Sequence, residues 1–316
     1  MAKKVAVVAV GGNSLILDPK KVTVEDQYLA AAETSKHIAD MIEAGWDVAV
    51  GHGNGPQVGF ILRRSEIAAK TEGMHEVPLD VCGADSQGAI GYALQQTLQN
   101  ELIQRGIKKS VATVVTQVKV DKNDKAFQNP TKPIGGFMEE DDAKRREKEL
   151  GWNVVEDAGR GWRRVVASPI PKEVVEIEAV KELLRAGTVV ITVGGGGIPV
   201  VDDGKGGCVG AAAVIDKDFA SSLLSQEINA DLFVISTAVE KIAINYGKPD
   251  QKWIDKMTVA EAKKYIEEGH FAKGSMLPKV QAIIWFLENG GKQALVTDPP
   301  HIGAALRGET GTWIVP

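Results

Sequence analysis

Along this chain a short run of β-branched residues passes three times directly into glycines. Val5 to Val10 ends in Gly11-Gly12-Asn13, Trp46 to Val50 in Gly51-His52-Gly53-Asn54-Gly55, and Val189 to Val193 in Gly194 to Gly197. The strand, glycine turn and helical pattern that recur in this order imply parallel strands joined by crossover helices, an α/β fold. All three turns then fall on one edge of the sheet, the edge where open α/β folds place their ligands. Glycine suits that edge because it permits positive φ and lets backbone N–H groups reach an anion with no Cβ in the way. A helix start just beyond adds positive dipole, so phosphate or carboxylate is the expected ligand.

The 316 residues leave room for one large α/β domain or two lobes sharing a cleft. Apolar residues make up 44% and charged ones 25%, which excludes wholesale disorder and fibrous repeats. Thirty-seven basic against forty-two acidic side chains give a net charge of −5, so no broad nucleic-acid surface is expected. An anionic ligand must meet a local positive cluster. The opening MAKKVAVVAV is too short an apolar run to span a bilayer and carries no signal-type cleavage pattern, so a cytoplasmic protein without membrane association is expected. Cys82 and Cys208 read as reduced thiols, and the histidines show no metal-ligand spacing, so no protein-held metal site is expected.

Thr23 is placed to cap an amphipathic helix running to Ala44, stopped by Gly45. Ala112 to Val120 reads as a strand and a helix is expected to begin near Lys172. Between them, residues 121–167 hold ten basic and ten acidic side chains and read as an inserted subdomain. In it two prolines flank Lys132 in Asn129-Pro130-Thr131-Lys132-Pro133, with Gly135-Gly136 following as hinge positions, an arrangement suited to a lysine on a flap that closes over an anion. Gly204-Lys205-Gly206-Gly207 reads as a hairpin or linker and marks a lobe boundary, giving lobes 1–208 and 209–316. In the second lobe Ala211 to Ile228, Thr258 to Glu268 and Met276 to Asn289 read as helices, and 231–237, 293–297 and 312–315 as strands. Lys217, between Asp216 and Asp218, and Lys279, between Gly274 and a helix start, are candidate phosphate ligands. No Walker A, GxGxxG, HRD/DFG or GxSxG string occurs.

Taken in order, Gly11-Gly12-Asn13-Ser14, His52-Gly53-Asn54-Gly55-Pro56-Gln57-Val58-Gly59, Ser86-Gln87-Gly88, the Lys132 string, Glu156 to Arg163, Gly194 to Pro199, Ile215 to Asp218 and Gly274 to Lys279 resemble the carbamate kinase branch of the amino acid kinase family over essentially the whole chain. The resemblance implies a three-layer αβα sandwich with an open, mainly parallel central sheet and a small inserted lid. It implies an ATP-dependent phosphotransferase that moves a phosphoryl group reversibly between carbamoyl phosphate and ADP, with Mg²⁺ accompanying the nucleotide, usually as a homodimer and within arginine metabolism. Carried over by position, Lys132, Lys217, Asp218, Lys279 and Asn13 act on the transferring phosphoryl. Gly11, Gly12, Gly53, Asn54 and Gly55 lie at the acceptor, and Gly195, Gly196, Asp216, Thr237, Ala238, Tyr246 and Met276 at the nucleotide. Related kinases carry a lysine two residues before the first Gly-Gly pair, where this chain has Ala9, so Lys132 is expected to supply the missing charge. Ala212 stands where the family commonly has an acidic residue, and Asp85 where it often has Met. The competing readings are another small-carboxylate or phosphonate kinase of the family, such as an N-acetylglutamate, glutamate or fosfomycin kinase, or a non-catalytic nucleotide-binding sensor.

Overall fold

The structure, a computed structural model, describes residues 4–11, 23–157 and 159–316, so Gly12 and Asn13 of the first turn lie outside the described residues. The chain begins β1 (Lys4–Val10), α1 (Val24–Glu43), β2 (Trp46–His52), α2 (Gln57–Glu72), α3 (Leu79–Gln104), β3 (Val111–Thr113) and β4 (Gln117–Val120). It continues β5 (Lys132–Met138), α4 (Glu140–Leu150), β6 (Asn153–Glu156), β7 (Trp162–Val166), β8 (Pro171–Val174), α5 (Ile177–Arg185), β9 (Val189–Ile191), β10 (Ile198–Asp202) and β11 (Cys208–Gly210). It ends α6 (Lys217–Glu227), β12 (Leu232–Ser236), β13 (Ile242–Ile244), β14 (Lys252–Ile254), β15 (Lys256–Thr258), α7 (Val259–Glu267), α8 (Met276–Glu288), β16 (Ala294–Thr297), α9 (Ile302–Leu306) and β17 (Thr312–Val315).

Among the described residues, eight strands form the central sheet in the order β15-β17-β16-β12-β1-β2-β9-β3. It is parallel from β16 to β3, and β17 turns antiparallel against β16. Strand β1 shows why both faces are covered. Val7 and Ala9 point into one apolar cluster with Val180, Leu224 and Ile283, while Ala6, Val8 and Val10 point into another with Ile38, Met41 and Leu98. Side chains alternate faces along a strand, so a run apolar at successive positions needs helices on both sides. Those helices are α5, α6 and α8 on one face and α1, α3 and α9 on the other, the three-layer sandwich expected from the sequence. Thr23 caps α1 through a reciprocal box with Asp26.

The expected inserted segment contains an antiparallel sheet, β5-β7-β6, and the charged helix α4. A second small sheet, β11-β10-β4-β8, lies beside the main one. Three expected elements differ from those observed. Ala112 to Val120 is two strands in different sheets, β3 and β4, because Thr116 between them is fully buried and bonds to the chain around it. Lys172 opens no helix: it sits in β8, paired antiparallel with β4, and α5 starts at Ile177. The helix expected from Ala211 begins at Lys217, because Ala213 bridges Ala167 and the Val214 N–H donates to the Ala167 carbonyl at 2.9 Å.

Candidate active site

The ends of β1, β2 and β9 come together, and at Gly11, Gly195 and Gly196 a side chain would collide with what lies above. A Cβ on Gly11 would sit 3.0 Å from the Ser236 carbonyl and 4.0 Å from Cε of Lys217. One on Gly195, where φ is +65°, would meet Asn54 Nδ2 at 2.4 Å, and one on Gly196 would meet the Ile215 carbonyl at 2.3 Å. The first two turns are tied directly, the Gly53 N–H donating to the Val10 carbonyl at 3.0 Å. Gly55 stands exposed just before α2. Backbone rather than side chain therefore lines this edge, as an anion site requires.

The third turn is held by a buried polar network. The Gln87 amide on α3 donates to the carbonyls of Thr116 (3.0 Å) and Gly194 (2.9 Å) and accepts from the Thr116 N–H (2.8 Å). Thr116 Oγ1 in turn accepts from the Val193 N–H at 3.1 Å and pairs with Thr192 Oγ1 at 2.8 Å. Below the turns His52 is 1% exposed. Its Nδ1 lies 2.9 Å from the Gly53 carbonyl, which can only accept, so the proton is on Nδ1, and Nε2, facing Gly194, has no hydrogen-bond partner among the described residues. Burial lowers the imidazole pKa to about 4, only partly offset by the Gly53 bond, and the ring is neutral near pH 7.

Charge collects at the N-terminus of α6. Asp216 is its cap, with Oδ1 accepting the Asp218 N–H at 2.9 Å, and its Oδ2 accepts from Nζ of Lys132, the first residue of β5, at 2.5 Å. Asp218, 2% exposed, receives both Lys217 and, at 2.8 Å, Lys279 from the first turn of α8. Three lysines from three separate segments thus meet two carboxylates, leaving one net positive charge. Burial works against ionisation of Asp216, but Lys132 and Lys217 hold its carboxyl below the usual carboxylate range. Asp218 is likewise desolvated and held down by its two lysines. Burial and the neighbouring Lys279 pull Lys217 below an ordinary lysine, against the attraction of Asp218. Lys279, also desolvated, is carried above its ordinary value by Asp218.

Of the positions assigned to the nucleotide, Gly195, Gly196 and Asp216 belong to this cluster or the turns beside it. Thr237 follows β12, its N–H donating to the Thr297 carbonyl at 2.9 Å, and Met276 opens α8 against the core. Ala238 is exposed beyond β12, and Tyr246 stands in the β13–β14 connection with its ring edge-on to Trp253 at 6.2 Å. His52, Gln87, Thr116 and Thr192 were not singled out from the sequence. Gln87 and His52 do lie within the strings that carry the family resemblance, which is the one signal pointing to them.

The family model for the amino acid kinase family matches residues 4–298. A carbamate kinase of Thermococcus kodakarensis is 51% identical over 313 residues, covering 99% of each chain. The carbamate kinase-like protein YahI of Escherichia coli is 52% identical over 316 residues, again 99% of each. Among solved structures, carbamate kinase from Giardia lamblia bound to AMP-PNP superposes with a TM-score of 0.91 at 41% identity, covering 99% of both chains. A full-length match at this identity, with the glycine turns and the lysine cluster in place, is more than a shared fold. The chain belongs to the amino acid kinase family, in its carbamate kinase branch.

Proposed function

We propose that this protein is a carbamate kinase: it transfers the phosphoryl group of carbamoyl phosphate to ADP, giving ATP and carbamate, and catalyses the reverse. The observation that carries this is the meeting of Lys132, Lys217 and Lys279 around Asp216 and Asp218 at the mouth of the glycine turns. In the transfer a β-phosphate oxygen of ADP forms a bond to phosphorus as the bond from phosphorus to the carbamoyl oxygen breaks, and carbamate leaves as an oxyanion. No general base is needed, because both oxygens involved already carry negative charge. What the protein must supply is alignment and positive charge on the equatorial oxygens.

Gly11, Gly53, Asn54 and Gly55, with Gly12, present the carbamoyl side to the phosphoryl, on which Asn13 acts. Gly195, Gly196, Thr237, Ala238, Tyr246 and Met276 hold the nucleotide, with Asp216 beside them at the start of α6. Lys217 and Lys279 neutralise phosphate charge, Asp218 keeps both ammonium groups aimed, and Lys132 arrives from the lid. Among the described residues no group of three or more metal-capable side chains occurs, and both carboxylates of the cluster are occupied by lysines. Mg²⁺ fits as an ion carried mainly by the nucleotide's own phosphates and water, where it would neutralise charge between the β- and transferring phosphates.

No helix among the described residues is long and apolar enough to cross a membrane. The free thiols of Cys82 and Cys208 support a site of action in the reducing cytoplasm. A homodimer is supported by the exposed Val24 and Leu29 on α1 and Tyr92 on α3, apolar side chains that a second copy would cover. Analytical ultracentrifugation should show a dimer, and a Leu29→Glu, Tyr92→Glu double variant should sediment as a monomer. The function itself is tested by coupled detection of ATP from carbamoyl phosphate, ADP and Mg²⁺, beside acetyl phosphate and, in the reverse direction, ATP with N-acetylglutamate. Turnover with carbamoyl phosphate well above either alternative is expected; preference for an alternative overturns the assignment.

A further inference from the structure

We propose that Asp216 is a positioning residue that holds Lys132 in the ligand-free enzyme, keeping the lid seated over the lysine cluster until a phosphoryl anion takes the ammonium group from it. This rests on reading Lys132 as the lid's phosphoryl-binding group. Both oxygens of Asp216 are engaged: Oδ1 caps α6 through the Asp218 N–H at 2.9 Å, and Oδ2 receives Lys132 Nζ at 2.5 Å. One carboxylate therefore joins the first residue of the lid strand β5 to the helix that carries Lys217 and Asp218, although the two are 84 residues apart in sequence.

The cluster is asymmetric in a way that singles out Lys132 as the group able to move. Lys217 and Lys279 share Asp218, which is 3% exposed at its side chain, and are themselves 12% and 15% exposed, so one buried carboxylate holds both ammonium groups in place. Lys132 and Asp216 are paired one to one and are more open, at 28% and 21%. An arriving phosphate offers Lys132 an acceptor of the same kind as the one it leaves. The ammonium exchanges carboxylate oxygen for phosphate oxygen without passing through a desolvated, unpaired state. The vacated Oδ2 is open enough for water, while the N-terminus of α6 and the retained Asp218 N–H keep Asp216 ionised. Asp216 thus competes with the phosphoryl group for one lysine.

The test uses the full chain without nucleotide, with inorganic phosphate as probe, in four forms: wild type, Asp216→Asn, Lys132→Met and the double variant. Asparagine still caps a helix, so α6 should be undisturbed. Asp216→Asn is expected to bind phosphate roughly two- to fivefold more tightly by calorimetry, and to gain clearly less when residue 132 is methionine. Hydrogen exchange of the amides at 132–138 is expected to speed up to a similar degree in both single variants, with no further rise in the double variant. Unchanged or weaker phosphate binding by Asp216→Asn overturns the proposal. So does an equal gain with and without Lys132, which would be mere removal of a repelling charge. If phosphate binding is too weak to measure in all four, lid exchange decides, and equal rates in wild type and variants overturn it. Neither readout needs turnover, so the proposal and the carbamate kinase assignment fail separately.

Discussion

Asp218 neutralises two lysines with one buried carboxylate, and removing that charge should be felt first in stability. Asp218→Asn leaves Lys217 and Lys279 facing each other without the carboxylate that both touch, a loss of about 3 kcal/mol by analogy with broken buried pairs. Urea unfolding at pH 7 measures it, and a loss below about 1 kcal/mol would mean that the lysines do not depend on Asp218. His52 gives a pH signature. Its pKa is about 4 in the fold against an ordinary 6.5, so between these values the unfolded chain takes up a proton that the folded chain refuses. The stability from this site is complete above pH 6.5 and is lost as the pH falls toward 4, by about 3 kcal/mol from the size of the shift. Wild type should lose that much more than His52→Gln between pH 7 and pH 4, and equal losses would contradict the burial argument. The lysines were legible in the sequence because each sits among unusual neighbours, Asp-Lys-Asp or flanking prolines and glycine. His52 and Gln87 were not, since what matters about them is being buried, and burial is a property of the assembled turns.

At the scale of elements, the lid sits on α2 by backbone contact. A Cβ on Gly59 would fall 2.2 Å from the Gly135 amide nitrogen, and Gly135 itself has φ +69°. Arg164 of β7 reaches Glu66 of α2 at 2.8 Å beside this contact. Because backbone on both sides must give way, Gly59→Ala should push β5 off α2 and draw Lys132 away from Asp216. The expected result is a folded enzyme with its turnover reduced by about tenfold or more, on the sensitivity of phosphoryl transfer to misplacement of a charged group. Circular dichroism and steady-state rates check this, and an unimpaired Gly59→Ala enzyme would show that the lid tolerates being lifted. Capped elements such as α1 were readable because Thr23 and Asp26 act locally. The start of α6 was not: Ala211 to Val214 would suit a helix, but their backbone is claimed by Ala167, and long-range pairing overrides local preference. The split of Ala112 to Val120 between two sheets has the same origin in the buried Thr116.

Across the whole molecule, the parallel order β12-β1-β2-β9 brings three glycine turns to one edge, and helices α6 and α8 direct their first turns toward it. That much was written in the recurring strand, glycine and helix pattern, because parallel strands place all their C-terminal ends together. The second sheet β11-β10-β4-β8 was not, as its short strands carry no distinct period. The central claim is that lysines from the lid, α6 and α8 act on a single migrating phosphoryl group. Its most direct measurement is the rate of ATP formation from carbamoyl phosphate and ADP by Lys132→Ala and Lys279→Ala, each confirmed folded by circular dichroism. Each should lose roughly 10²–10³ in kcat, the scale for removing one stabilising group from a developing charge; a wild-type rate in either variant would contradict the account.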